Sequence, residues 1–373
     1  MAERPSDSRM GSRPGWAHPW IAAGLLACLA LAQYRHGQDF GVFWRAGGRF
    51  VAGRDLFPAA DGFLAWRYAP GTALLFAPLA LLPFGAAKAL WFALLAAAGG
   101  LVVARLVRDA PDLRPAGLAL LALSRPLVEE FACGQVNLVV LLAALAAFRD
   151  EDRGRPLRAG LLLALCIGLK LSPALLVLAA VPARRWRIAA GTALGLGLVA
   201  LAPLPFYGPS GAIAVHVAWI RSLAAASPAA AAAGGNQSLF GFAARLGAPT
   251  WMGALLTAAV VAAALWSPAG RTRRGLLLFA TALASPMGWI QNYVMALPAL
   301  AGLAVSRRSV AAAGLGLALL VPMYDVSGPR FEAWFFDHSL PLAAMALLFV
   351  VVLRGAPAAL RDGTVGAAPP RSA

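Results

Sequence analysis

Asp39 opens a polar stretch, Gln38 to Pro70, and Arg45, Arg49, Arg54 and Arg67 follow it before the stretch closes on Tyr68-Ala69-Pro70. A carboxylate takes a proton from a hydroxyl, and guanidinium or ammonium groups stabilise negative charge on a departing phosphate. One acid among several guanidinium groups is therefore the composition of a base set beside a phosphate. The competing reading of Asp39 is structural: an acid directly before a helical pattern is a good N-cap, and Arg45 or Arg49 would neutralise it. Lys170 interrupts an apolar stretch, where an ammonium costs about 2.5–3.5 kcal/mol to insert and is expected to face a cavity or a partner. Arg45, Arg49, Arg67 and Lys170 are thus the candidates for holding a phosphate, with lipid headgroups as the arginines' alternative target. Gln135 and Asn137 follow Gly134 at the end of an apolar segment and are candidates for hydrogen-bonding a ligand or for capping a helix. Asn236 and Gln237, followed by Ser238, form a polar turn that is a further candidate for ligand binding. Glu129 and Glu130 offer an alternative base or a counter-charge, and His216 reads as an interfacial histidine.

These residues sit in a chain built for lipid. Of 373 residues 60% are hydrophobic and only 13% are charged, against roughly 25% charged in a soluble domain, and mean hydropathy is +0.72. The expectation is an all-α integral membrane protein with about 10–12 transmembrane helices and extracytoplasmic loops forming the site. The formal charge of +16 lies in small basic clusters between apolar segments, which is an orientation signal and not a nucleic-acid surface. Cys28, Cys133 and Cys166 form no metal spacing, and no paired carboxylates stand at metal-ligand spacing, so no metal is expected.

The chain divides into a cytoplasmic tail (1–15), a polytopic region (16–354) and a disordered Ala/Pro/Gly-rich tail (355–373). Arg4, Arg9 and Arg13 precede the first apolar segment, Trp16 to Gln33, which places the Asp39 loop outside. Within that loop Phe40, Phe43, Trp44 and Phe50 recur near helical spacing, so residues 40–51 read as an amphipathic helix lying at a membrane surface. The segment through Pro78 and Pro83 is too short to cross and reads as re-entrant; Ala86 to Ala104 reads as a full span. Residues 157–181 read as two half-helices meeting at Leu169–Pro173, because basic loops flank both ends. Phe206 onward reads as an external loop holding His216, Arg221 and Asn236. Later spans are read over 294–305 and 311–323, with Arg307-Arg308 inside and Asp325 and Glu332 outside. Placing basic loops inside gathers the remaining polar residues on one side of the membrane. A transporter scatters such residues near the midplane; a one-sided set reads as an enzyme reached from the bilayer.

The succession D-x4-W-x2-G (Asp39, Trp44, Gly47), G-x-D-L-F (53–57), R-Y-A-P (67–70) with P-L-A-x-L-P (78–83), G-Q-x-N (134–137), K-x-S-P-x-L (170–175), R-R-W-R (184–187), N-Q-S-L-F-G (236–241) and S-P-M-G-W (285–289) resembles glycosyltransferase family 87, the DUF2029 group of the integral-membrane GT-C class. The resemblance covers roughly residues 20–350. It implies a helical bundle that transfers a hexose, mannose in several members, from a polyprenyl phosphate to a glycolipid or glycan acceptor, without a nucleotide sugar or cofactor. It implies Asp39 as the general base of an inverting attack, with Gln135, Asn137, Asn236, Gln237, Trp289, Gln291 and Asn292 as candidate sugar- or acceptor-binding residues. Relatives often carry a His-His pair where this chain has Gln291-Asn292, which can replace hydrogen bonds but not proton chemistry. The expected setting is a bacterial plasma membrane with the site facing out. Alternatives are a lipid or oligosaccharide transporter, although no internal repeat is visible, and an acyltransferase resting on Asp337-His338.

Overall fold

The computed structural model describes residues 17–108, 114–180, 184–225, 231–268, 270–303, 310–311, 314–316 and 327–355, and all structural statements refer to these. The 1–15 tail, the tail beyond Gly355, Arg307-Arg308, Asp325 and most of the 311–323 segment lie outside the described residues.

The described chain is helical throughout, as its composition requires, and forms an all-α membrane protein. Apolar helix α1 (Ala17–Gln33) turns at Gly37 into α2 (Gln38–Val51), and two 3₁₀ segments follow at Ala59–Leu64 and Pro70–Phe76, with a single turn, α3, at Ala77–Ala80. Pro78 and Pro83 break this stretch, which stays short as expected. Helix α4 (Phe84–Arg108) matches the expected full span and is the one described helix long and apolar enough to cross a membrane alone. Three bent pairs meet that test jointly: α6 (Ser124–Cys133) with α7 (Asn137–Asp152) at 114°, α10 (Trp186–Leu201) with α11 (Leu204–Ala224) at 94°, and a C-terminal pair, Pro329–Asp337 with Leu340–Gly355, at 53°. A helix α5 (Arg114–Ala122) leads into α6. The helices α8 (Pro156–Leu169) and α9 (Ala174–Ala180) are separated as expected, with Lys170 in extended backbone (φ −153°, ψ 132°) at the break.

Two expectations change. The stretch from Phe206, read as an external loop, is mostly α11: only Gly208 (φ 66°, ψ 174°) departs from helical geometry, and the apolar run after Pro209 continues the helix. The apolar face of α2 covers protein instead of lipid. Phe40, Phe43, Ala46 and Phe50 are buried, and the Phe43 ring packs on Trp66, Tyr68, Phe76 and Trp91. Aromatic pairs of this kind contribute roughly 0.5–1.5 kcal/mol each beyond area burial, which fixes α2 against α4 and the Pro70–Phe76 segment.

The remaining elements are α12 (Leu239–Arg245), α13 (Thr250–Trp266), α14 (Arg271–Leu283), a 3₁₀ segment at Ile290–Ala296, α15 (Leu297–Ala301), α16 (Pro329–Asp337) and α17 (Leu340–Gly355). Helices α8 and α10 approach closely because Gly160, Gly191 and Gly195 have no side chain: a Cβ on Gly160 would lie 2.3 Å from the Ile188 carbonyl oxygen.

Candidate active site

Asp39 is the second residue of α2, so its charge lies in the first turn, where the helix dipole favours it. Two glycines in left-handed backbone bring it to its partner. Gly37 (φ +88°) precedes α2, and Gly134 (φ +69°) ends α6. A Cβ on Gly37 would come within 3.1 Å of Lys88 and Phe92, and one on Gly134 within 3.3 Å of Phe40. The Gly37 N–H donates to the Ala132 carbonyl at 2.7 Å, and the Trp91 indole donates to the Gly134 carbonyl at 2.8 Å. So joined, the two turns let the Gln135 Nε2 donate to the Asp39 Oδ2 at 2.5 Å. The Tyr68 hydroxyl approaches the Gln135 Oε1 at 3.4 Å. Helix α2 has no side-chain cap, and the Asp39 carboxylate faces Gln135, so the capping alternative does not describe this residue.

Burial pushes the Asp39 carboxyl above its ordinary range; the Gln135 hydrogen bond and the Lys170 ammonium pull it partly back. A half-buried carboxylate with a raised proton affinity and one fixed hydrogen bond is a stronger base than a solvated aspartate.

A second cluster adjoins it. The Lys170 Nζ, at the α8–α9 break, donates to the Asn292 Oδ1 at 2.5 Å. The Asn137 side chain donates to the Glu130 Oε2 at 2.6 Å and to the Gln291 carbonyl at 3.3 Å. Glu130, wholly buried, also accepts from the Leu138 N–H at 2.9 Å. It thereby caps α7 from the preceding helix, which satisfies one donor that a helix start leaves open. Asn137 Oδ1 is buried with no partner among the described residues, an acceptor held ready beside the cluster. Asp39, Gln135, Asn137, Lys170, Gln291 and Asn292 therefore occupy one linked neighbourhood built from α2, α6, α7, the α8–α9 break and the Ile290–Ala296 segment.

Other candidates take other places. Arg49 grips Asp61 through both guanidinium nitrogens, one at 3.0 Å, and Arg45 donates to the Leu64 carbonyl at 3.4 Å. Both stand further along α2, Arg45 about 9 Å and Arg49 about 15 Å from Asp39 by helix rise. The Arg67 carbonyl accepts from Trp219 at 3.1 Å. Asn236 is wholly buried and fully engaged: its Oδ1 accepts from the Gly288 N–H and Ser238 hydroxyl, each at 2.9 Å, and its Nδ2 donates to the Ala231 and Pro286 carbonyls. Gln237 donates to the Phe336 carbonyl at 2.7 Å, and its own carbonyl accepts from Tyr293 at 2.6 Å. Trp289 lies over Gly235, where a Cβ would meet the ring at 2.4 Å. These three residues support the loop that carries Gln291 and Asn292. His216 contacts the Ala200 carbonyl at 2.9 Å. Glu129 pairs with Arg125 at 2.6 Å, and Arg125 with Glu332 at 2.8 Å.

The capping role of Glu130 and the Tyr68 contact were not read from the sequence. Tyr68 had a signal in the R-Y-A-P motif. Glu130 had none, because its partner Leu138 is eight residues on, across a bend.

The model of glycosyltransferase family 87 matches residues 66–287. The chain is 30% identical over 370 aligned residues to the polyprenol-phosphate-mannose-dependent alpha-(1-2)-phosphatidylinositol mannoside mannosyltransferase of Mycobacterium tuberculosis, covering 85% of this chain and 83% of that protein. It is 37% identical over 135 residues to the polyprenol-phosphate-mannose-dependent alpha-(1-2)-phosphatidylinositol pentamannoside mannosyltransferase of Mycolicibacterium smegmatis, where the match covers 35% of this chain and 32% of the relative. No solved structure matches the chain.

Proposed function

Because the chain belongs to glycosyltransferase family 87, we propose that it transfers mannose from a polyprenyl phosphate to a hydroxyl of an envelope glycolipid or glycan, with Asp39 as general base. The acceptor oxygen attacks the anomeric carbon from the face opposite the phosphate, and its proton passes to the Asp39 carboxylate. The new C–O bond forms as the bond to the phosphate oxygen breaks, and that electron pair leaves with the polyprenyl phosphate, inverting the configuration. Lys170 offsets the charge gathering on the leaving group. Gln135 orients the base, while Gln291, Asn292 and the open Oδ1 of Asn137 meet sugar or acceptor hydroxyls.

The single observation that carries this reading is the Asp39–Gln135 contact, beside the part-buried Lys170–Asn292 pair. The donor named for both curated relatives supports polyprenol-phosphate-mannose. The reaction as written balances without a cofactor or metal. The chain would cross the plasma membrane of a bacterium several times, with the site on the extracytoplasmic side. Membranes holding the wild type or Asp39→Asn are incubated with radiolabelled polyprenyl-phosphate-mannose and acceptor lipids. The variant, which keeps the Gln135 contact but cannot take the proton, is expected to lose about 10²–10⁴ of turnover. Equal turnover by both proteins would remove Asp39 from the role.

A further inference from the structure

The end of the bundle opposite Asp39 holds a cavity of about 100 Å³ between α7, α8, α9, the start of α10 and α14. That it is the opposite end follows from the helices: α7 starts at Asn137 beside the site and ends at Asp152, while α8 starts at Pro156 and ends at Leu169, next to Lys170. Leu163, Leu176, Ile188 and Leu277 form an apolar floor, and Arg185, Arg273, Arg274 and Glu151 stand around the mouth. Glu151 accepts from Arg185 and, at 2.7 Å, from the Arg274 Nη2, while the Arg274 Nη1 donates to Asp152 at 2.8 Å. Arg273 gives two nitrogens, at 3.0 and 2.7 Å, to a neutral acceptor, the Ser267 carbonyl. Three guanidinium groups against two carboxylates leave the mouth positive.

Two exposed tryptophans mark the depth of this mouth. Trp186 follows Arg185 and is 61% exposed; Trp266 precedes Ser267 and is 89% exposed. Large aromatic rings left uncovered at helix ends of a membrane protein belong at the headgroup level. A basic mouth over an apolar floor at that depth matches a headgroup site between helices.

We propose that this cavity binds an anionic phospholipid, its phosphate at Arg273 and Arg185 and the start of an acyl chain on the Leu163–Leu277 floor. The inner charge network then serves two purposes, tying α7 to α10 and α14 and presenting a fixed anion seat. The inference is independent of the transfer reaction at Asp39.

The full chain, purified in detergent, is offered equal amounts of phosphatidylglycerol and phosphatidylcholine, and the lipid retained per protein is measured by mass spectrometry. Wild type is expected to enrich phosphatidylglycerol by roughly tenfold or more. Arg185→Gln/Arg273→Gln is expected to bring that preference close to one. Ala179→Leu, which fills the cavity without changing charge, is expected to do the same and reads the proposal even if the arginine pair variant fails to fold. Arg105→Gln/Arg108→Gln removes equal charge from the same end, outside the cavity, and is expected to keep the preference. Equal enrichment in all four proteins, or a loss with the Arg105/Arg108 variant as large as with the cavity variants, would overturn the proposal in favour of diffuse attraction.

Discussion

Gln135 donates its side-chain amide to Asp39 at 2.5 Å across 96 residues of chain. The contact is set by backbone: Gly37 and Gly134, both at positive φ, stand with the Gly37 Cα 3.5 Å from where a Gly134 Cβ would lie. Gly134 gives α6 its left-handed end, and the chain then turns 114° into α7. The base and the residue that orients it are therefore properties of one joint between two turns.

The joint predicts a stability result. Gly134→Ala and Gly37→Ala each force an L-residue into left-handed backbone, at about 1–2 kcal/mol, and each adds a contact near 3.1–3.3 Å. Both variants are expected to unfold at lower temperature in detergent and to lose transfer activity together. Gly197→Ala, within α10 where an added Cβ meets nothing within 4 Å, is expected to match or exceed wild-type stability. If the three variants melt alike, the joint is not under conformational constraint.

The electrostatics at Asp39 predict a pH result. Its proton affinity is raised by burial, so the base is lost to protonation at a higher pH than the roughly 3.9 of a free aspartate. The acid limb of the kcat/KM profile should therefore have its midpoint above that value. The Gln135 hydrogen bond and the Lys170 charge both favour the ionised form. Gln135→Met and Lys170→Met should each move the midpoint further up, whatever they do to the maximal rate. A midpoint that moves down, or stays put in both, would separate the limb from Asp39.

The legibility of the sequence was uneven for physical reasons. Asp39 and Lys170 were visible because a charge in an apolar context is costly and stands out from local sequence alone. The break at Lys170 was visible because basic clusters flank it on both sides. A turn at Gly134–Asn137 was visible from its polar residues, but neither the left-handed backbone of Gly134 nor the 114° angle at which α6 meets α7 could be read from residue type. The 10–12 spans read from apolar segments take the form of one long helix, three bent pairs and several shorter apolar helices among the described residues. The 206–224 segment read as a loop because Gly208-Pro209 outweighed the apolar run that follows. The apolar face of α2 was read correctly as a face, but periodicity does not say whether lipid or protein covers it; Trp66, Phe76 and Trp91 decide that. Gln135 was picked as polar and near the site, while its partner lay 96 residues away.

Arg49 and Asp61 predict a coupling energy. The pair ties the Ala59–Leu64 segment to α2, and Arg49 holds the Asp61 carboxyl below its usual range. The folded-state pKa is lowered, so the stabilisation is complete above the unfolded value of roughly 3.9 and is lost as pH falls through the folded one. At neutral pH, Arg49→Met and Asp61→Asn should each cost up to about 1 kcal/mol, the scale for a solvent-accessible pair, and the double variant should cost little more than either alone. Thermal melts of the four proteins check this. Additive losses would show that Arg49 contributes through something other than Asp61.

Glu130 predicts the opposite division of effects from Asp39. Both are acids of the linked neighbourhood, yet Glu130 spends its carboxylate on the Asn137 amide at 2.6 Å and the Leu138 N–H at 2.9 Å. Glu130→Gln keeps the shape but offers one acceptor and one donor group where two donors converge, leaving one of them unpaired in a buried position. That is expected to cost about 1–3 kcal/mol, seen as a lower melting temperature, with kcat reduced far less than by Asp39→Asn once both are measured on folded protein. Asp39→Asn should show the reverse: near-native melting and turnover lower by about 10²–10⁴. Retained turnover in Asp39→Asn together with loss in a well-folded Glu130→Gln would transfer the base to Glu130, and with it the geometry of attack from α2 to the α6–α7 bend.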